Sequence, residues 1–276
     1  MRILFFGLGQ TAKNLILELQ NKEKTHISLV SRSNHINIQN FYELKDIPFD
    51  KKITSEVSKA THILISLPPP YENFICENLK DQINRSKELK WLGYLSSTSV
   101  YGNHNGQWVD ENSKTNPKTT AGINRLNAEM KIKELNKNRI FRLSGIYSDH
   151  QNVFTRIKSN QIKIVKNQNN YFSRIHLDDI TQTLLNSFEK SEEDNIYNVS
   201  DDLPCPYKEI VKYACKLLKI DFEFPEINID KIESSFLSDF YKDNKRVKNE
   251  KIKKILNVQL KYPTYKEGLN SILKKT

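Results

Sequence analysis

The sequence predicts an α/β protein built on a doubly wound parallel sheet, with a small mixed domain at its C-terminal end. Three observations carry this expectation. Over the first 100 residues short apolar runs alternate with helical patterns, as the strands and crossover helices of a parallel sheet do. A glycine turn, Gly7-Leu8-Gly9-Gln10-Thr11-Ala12, lies directly between the first apolar run and the first helical pattern. Beyond residue 150 the alternation becomes irregular, which fits a smaller unit intertwined with the first. The expected division is residues 1–150 for the sheet domain, with 173–200 returning to it, and 151–172 plus 201–276 for the small domain.

In chain order, Arg2–Phe6 reads as strand one, Thr11–Gln20 as a helix with Leu15, Ile16 and Leu19 on one face, and His26–Val30 as strand two. A weaker strand is predicted at Ile47–Phe49 and a short helix at Ser55–Lys59. His62–Leu67 is again a strong strand, stopped by Pro68-Pro69-Pro70. Tyr71–Lys87 reads as a helix, Trp91–Ser96 as a strand and Gly102–Pro117 as a polar loop. Thr119–Asn136 is a helix with Ile123, Leu126, Met130 and Ile132 as its apolar positions, followed by the strand Arg139–Leu143. Later come Val153–Lys158, Ile162–Val165, the helix Asp178–Phe188, the strand Ile196–Val199 and the helix Tyr207–Leu218. An amphipathic helix over Val247–Leu256 turns its lysines outward.

Charge narrows the classes of function. The 276 residues carry a net +10, but Lys242–Thr276 holds eleven basic and three acidic residues, so +8 resides in the tail. Arginine supplies only nine of the 43 basic residues, which argues against a nucleic-acid-binding face. No apolar stretch approaches the length of a membrane helix, and the N-terminus opens on a strand rather than a signal peptide, so a cytoplasmic location is expected. Cys76, Cys205 and Cys215 are odd in number and fit reduced thiols, and neither they nor the scattered histidines form a metal-ligand spacing.

Placed between strand and helix, G-x-G-x-x-A has a physical reading. Gly7 permits the tight turn, Gly9 lets the backbone approach a pyrophosphate, and Ala12 lets helix and strand pack closely. Gln10 and Thr11 open a helix N-terminus with free amides. This is the turn of a Rossmann-type dinucleotide site. Strand two ends in Ser31-Arg32-Ser33, and no Asp or Glu lies between His26 and Asn40. An acidic residue there would meet a free ribose 2′-hydroxyl, whereas Arg and hydroxyl donors meet a 2′-phosphate, so NADP is expected over NAD.

Further segments carry a family resemblance. Leu95-Ser96-Ser97-Thr98-Ser99-Val100-Tyr101-Gly102, Asn116-Pro117, Asn127-Ala128-Glu129, Arg142-Leu143-Ser144-Gly145-Ile146-Tyr147, Arg174-Ile175-His176-Leu177-Asp178-Asp179 and Ile196-Tyr197-Asn198-Val199-Ser200-Asp201 follow one another in order over nearly the whole chain. Together they resemble the extended short-chain dehydrogenase/reductases, the NAD-dependent epimerase/dehydratase family. The resemblance implies a cofactor lying across Gly7–Ala12, Arg32, Leu67, Pro68, Pro69, Ser97, Arg125, Ser144, Gly145 and Ile146. It also implies a Ser/Thr at the strand end, Ser97 or Thr98, and a Tyr-x-x-x-Lys on the next helix, where Tyr is the general acid/base and Lys holds the ribose. Here those two positions fall on Ala121 and Arg125, so the phenol is missing. The chain is similar in this to an atypical branch of the family, as it is in Lys245-Arg246-Val247-Lys248-Asn249 and the segment from Tyr262 to Leu269.

Two readings follow. In one, the protein is an NADP-dependent epimerase- or dehydratase-like oxidoreductase of a small carbonyl or sugar-nucleotide-like substrate. Its acid/base group has moved to Tyr101 or Tyr147, with Tyr171 and His176 as further candidates. In the other, it is a catalytically inactive NADP-binding sensor or interaction protein. Family members hold anionic substrate groups with basic residues of the small domain, a role Lys245, Arg246 and Lys248 could take; a solvated lysine face is the alternative. The oligomeric state stays open, with a homodimer as one option.

Overall fold

The computed structural model describes residues 1–22, 24–44, 51–190, 195–231 and 241–275. Its strands are β1 (Arg2–Phe6), β2 (His26–Ser31), β3 (Asn40–Glu43), β4 (His62–Ile65), β5 (Trp91–Ser97), β6 (Trp108–Val109), β7 (Asn138–Leu143), β8 (Gly145–Tyr147), β9 (Ile164–Val165), β10 (Arg174–His176), β11 (Ile196–Val199), β12 (Glu226–Ile227) and β13 (Arg246–Val247). The helices are α1 (Gln10–Gln20), α2 (Lys51–Lys59), α3 (Glu72–Asn78), α4 (Lys80–Arg85), α5 (Thr120–Ile132), α6 (Val153–Lys158), α7 (Leu177–Ser187), α8 (Tyr207–Leu218), α9 (Glu250–Ile255) and α10 (Tyr265–Lys275).

Seven strands form one parallel sheet in the order β11-β7-β5-β4-β1-β2-β3. Both faces are covered, which is why β1, β4 and β5 read as nearly unbroken apolar runs rather than alternating ones. Leu15, Ile16 and Leu19 of α1 and Ile180 and Leu184 of α7 pack one face, and Ile53, Val57, Ile75, Ile83 and Ile132 of α2–α5 the other. A third cluster, with Phe154, Ile210, Val211, Leu269 and Ile272, holds α6, α8 and α10 together. The chain runs outward from β1 in both directions, so the order reverses between β1 and β4. All strands emerge on one edge, and an open sheet of this kind places its crevice there. Among the described residues no helix is long and apolar enough to cross a membrane.

Several elements differ from expectation. The strand expected at Ile47–Phe49 lies outside the described residues; the sheet edge is instead β3, which pairs with β2 from Ser28↔Asn40 to Ser31↔Glu43. The helix expected over Tyr71–Lys87 breaks at Leu79, whose φ of −119° leaves the helical range, giving α3 and α4. On α5, Ile123 and Met130 are exposed, and Gly122, Ala128, Glu129 and Ile132 face inward. The reason is Glu129, which is fully buried because Arg142 of β7 binds both its oxygens, at 3.0 and 2.8 Å, and Ser96 Oγ donates to it at 2.5 Å. The tail helix is shorter than expected, because Val247 belongs to β13 and α9 begins at Glu250.

Candidate functional site

The glycine turn sits at the emerging edge. Gly7 has φ +97°, and a Cβ there would stand 2.8 Å from Ser66 Oγ, so only glycine makes this turn without strain. Gly9 has an ordinary φ of −76° and caps α1, yet a Cβ on it would meet nothing within 4 Å. Among the described residues no side chain caps this helix N-terminus, so its first amides have no side-chain partner there. Ala12 is fully buried beneath the turn. At the end of β2, Ser31 Oγ bonds the Ser33 carbonyl, while Arg32 is exposed with its guanidinium 5.8 Å from the Tyr71 ring centre. Leu67 is buried under the turn and Pro68 is exposed beside it.

Alongside, where β5 and β7 end, lies a cavity of about 380 Å³, a size suited to a small organic ligand. Ser97, Thr98 and Ser99 form one wall and Thr119, Ala121 and Arg125 of the α5 entry another. Leu143, Ser144 and Gly145 close the β7 side. The far wall is Tyr171, Phe172 and Ser173 with Asp243, Lys245 and Val247. Ser97 Oγ accepts from Ser99 N at 3.1 Å and keeps its proton for another acceptor. Arg125 Nη1 donates to Tyr94 Oη and to the Leu95 carbonyl, both at 3.0 Å, so this cation is fixed to the end of β5. Ser144 is 4% exposed, and its hydroxyl has no partner among the described residues.

The far wall is held by backbone rather than by packing alone. β13 pairs with β6, and the Asn244 carbonyl accepts from His104 N and Gly106 N. Asn244 Oδ1 accepts from Tyr171 N, and Val247 N donates to Ser173 Oγ. Lys245 thereby stands against the cavity with Nζ 3.0 Å from Asp243 Oδ2. Burial lowers its pKa below the usual lysine value, with the Asp243 carboxylate working against the shift.

Other candidate residues stand elsewhere. Tyr101 is fully buried, donating to Asn198 Oδ1 at 2.7 Å beneath the Arg142 guanidinium; burial pushes its pKa to about 12. Tyr147 is buried against His176 and α10, and its pKa is likewise raised by burial. Neither tyrosine lines the cavity, because each ring lies in the packed core below the strand ends. His176 instead caps α7, its Nδ1 accepting from Asp178 N. Of the basic trio only Lys245 reaches the cavity. Arg246 lies between the Trp108 and Tyr171 rings and donates to the Gly106 carbonyl, and Lys248 is exposed. Sequence reasoning did not single out Asp243 or Thr119, whose spacing carries no motif.

A search of protein-family models and one of curated proteins found no match. Among solved structures, a functionally unknown conserved protein from Silicibacter pomeroyi is 32% identical over 100% of this chain and 99% of its own, with a TM-score of 0.84. UDP-glucuronic acid 4-epimerase from Bacillus cereus, solved with NAD, is 13% identical over 99% of both chains, with a TM-score of 0.75. dTDP-glucose 4,6-dehydratase from Bacillus anthracis, also solved with NAD, is 17% identical over 99% of this chain and 96% of its own, with a TM-score of 0.76.

Proposed function

We propose that this chain, which shares the fold of NAD-dependent epimerases and dehydratases, is a nicotinamide-dinucleotide-dependent oxidoreductase of the epimerase/dehydratase kind within the extended short-chain dehydrogenase/reductases, acting on a small carbonyl or sugar-nucleotide-like substrate. The observation that carries this is the cavity at the ends of β5 and β7, on the same sheet edge as the glycine turn, lined by hydroxyls and by the fixed cation of Arg125. The residues fit a dinucleotide. Gly9 leaves open space over the α1 amides, which suits a pyrophosphate, and Ser144, a residue of the cavity lining, has a buried hydroxyl without a partner among the described residues. A nicotinamide bound there supplies hydride transfer. The chain's own contribution is to orient a substrate oxygen with Ser97 and Thr98 and to place the Arg125 charge near the ribose. Segments 151–172 and 201–276 act as the substrate domain, closing the cavity through Tyr171 and Lys245.

Arg32 supports NADP, since its exposed guanidinium ends β2 and no carboxylate lies between His26 and Asn40. NAD is the dinucleotide of the two Bacillus enzymes, whose identity to this chain is low. Calorimetry is expected to show NADP(H) bound more tightly than NAD(H), with Arg32→Ala narrowing the gap by about tenfold, the scale of one charged hydrogen bond. Equal or reversed preference in the wild type contradicts the Arg32 assignment. The second reading, a dinucleotide-loaded protein without turnover, draws support from Ala121 and from the tethering of Arg125 to Tyr94. It requires binding with no hydride transfer to any carbonyl substrate.

A further inference from the structure

We propose that Lys245, held by Asp243 in the cavity wall, is the group that exchanges a proton with the oxygen of the bound substrate. The proposal rests on the oxidoreductase reading above and supplies the acid/base group that Ala121 cannot.

Four side chains lining the cavity carry charge or titrate: Arg125 from α5, Tyr171 from the segment before β10, and Asp243 and Lys245 from the segment before β13. Arg125 is tethered through Nη1 to Tyr94 and Leu95, and a guanidinium is no proton donor to a substrate. The Tyr171 ring lies under the Arg246 guanidinium at 4.8 Å, part of the packing that holds β13. Lys245 differs from both. Its side chain is 10% exposed, and Asp243 Oδ2 is the only hydrogen-bond partner of Nζ among the described residues. An ammonium has three N–H donors, so two remain for whatever fills the cavity, and a buried donor left unmade is costly. A bound carbonyl or alkoxide oxygen satisfies one of them.

The chemistry follows from this placement. As a carbonyl is reduced, Nζ gives one proton to the substrate oxygen and a new O–H bond forms. The carbonyl carbon takes its hydride from the reduced nicotinamide, which is oxidised, and the neutral amine recovers a proton from water. In the reverse direction the amine accepts the hydroxyl proton. Burial of Lys245 eases loss of that proton, and the Asp243 carboxylate opposes the loss. An anion clamp at the same place needs only the charge, which separates the two roles.

The test combines three measurements on the full chain. Calorimetry with NADPH comes first, on the wild type, Lys245→Met, Lys245→Arg and Asp243→Asn. Second is trace labelling by acetic anhydride across pH 6–11, with mass spectrometry reading each lysine. Third is NADPH oxidation by 9,10-phenanthrenequinone, a small carbonyl probe. The expected result is that Lys245 labels with a midpoint below that of the exposed Lys248 and that Asp243→Asn moves it lower still. Lys245→Met and Lys245→Arg then bind NADPH like the wild type but reduce the quinone at least about 10²-fold more slowly. Wild-type turnover in Lys245→Met, or in Lys245→Arg, which keeps the charge but cannot release a proton, overturns the proposal. So does a labelling midpoint at or above that of Lys248, or a wild type that binds NADPH and leaves the quinone unreduced. A wild type that binds no dinucleotide sinks the oxidoreductase reading instead, and calorimetry shows this before any variant is compared.

Discussion

Single residues at the sheet edge separate binding from folding. Gly9→Val adds a side chain where nothing lies within 4 Å and φ is ordinary, so the thermal midpoint should stay within about 2 °C of the wild type. The same side chain fills the space over the α1 amides, and dinucleotide affinity should fall at least about tenfold; a variant that binds like the wild type argues against a pyrophosphate there. A second residue sets a pH dependence. Asp201 is buried, its Oδ2 has no partner among the described residues, and its pKa is raised to about 8, chiefly by burial, with the Arg174 charge opposing. Because the folded pKa exceeds the unfolded value near 3.8, the stability it contributes is full below pH 4 and is lost as pH rises through about 8. Asp201→Asn should match the wild type at low pH and melt several °C higher at pH 9, as read by calorimetric scans; parallel curves at all pH values would contradict this. The glycine turn was legible because its meaning is local. Lys245 and Asp243 were harder to read, since their place in the cavity depends on two distant segments crossing.

At the scale of elements, α5 and β7 are joined by a buried charge pair. Glu129→Gln leaves the Arg142 guanidinium buried without its carboxylate, and loss of one partner of such a pair costs about 3–5 kcal/mol. Urea denaturation should show that loss as a lower midpoint, and a midpoint within error of the wild type would mean the pair contributes nothing. This link also explains a misreading. Periodicity assigned the apolar face of α5 to Ile123, Leu126, Met130 and Ile132; Ile132 is buried, but Ile123 and Met130 are exposed, because Gly122 and Ala128 allow close approach to the sheet and Glu129 takes the inward position. The strands were legible from apolar runs because both sheet faces are covered. β6 and β13 were not, since two-residue strands carry no period.

For the whole molecule, the basic tail has a narrower meaning than its +8 suggested. Lys253 pairs with Asp202, Lys261 with Asp178 at 2.9 Å, Lys275 with Asp149 at 2.7 Å and Lys254 with Glu250 at 2.9 Å. Part of the tail charge is thus matched against carboxylates, three of them earlier in the chain, and Lys245 alone of the expected trio faces the cavity. The fold class was readable because motif order along the chain mirrors strand order in the sheet. The proton-transfer route proposed for Lys245 was not, because no motif in the sequence marks that position as an acid or base. Titration calorimetry of the wild-type protein with NADP⁺, NADPH, NAD⁺ and NADH tests the central claim most directly. Saturable one-to-one binding of at least one dinucleotide, with micromolar or tighter affinity, is the result expected of a Rossmann-type enzyme; no binding heat from any of the four would contradict it.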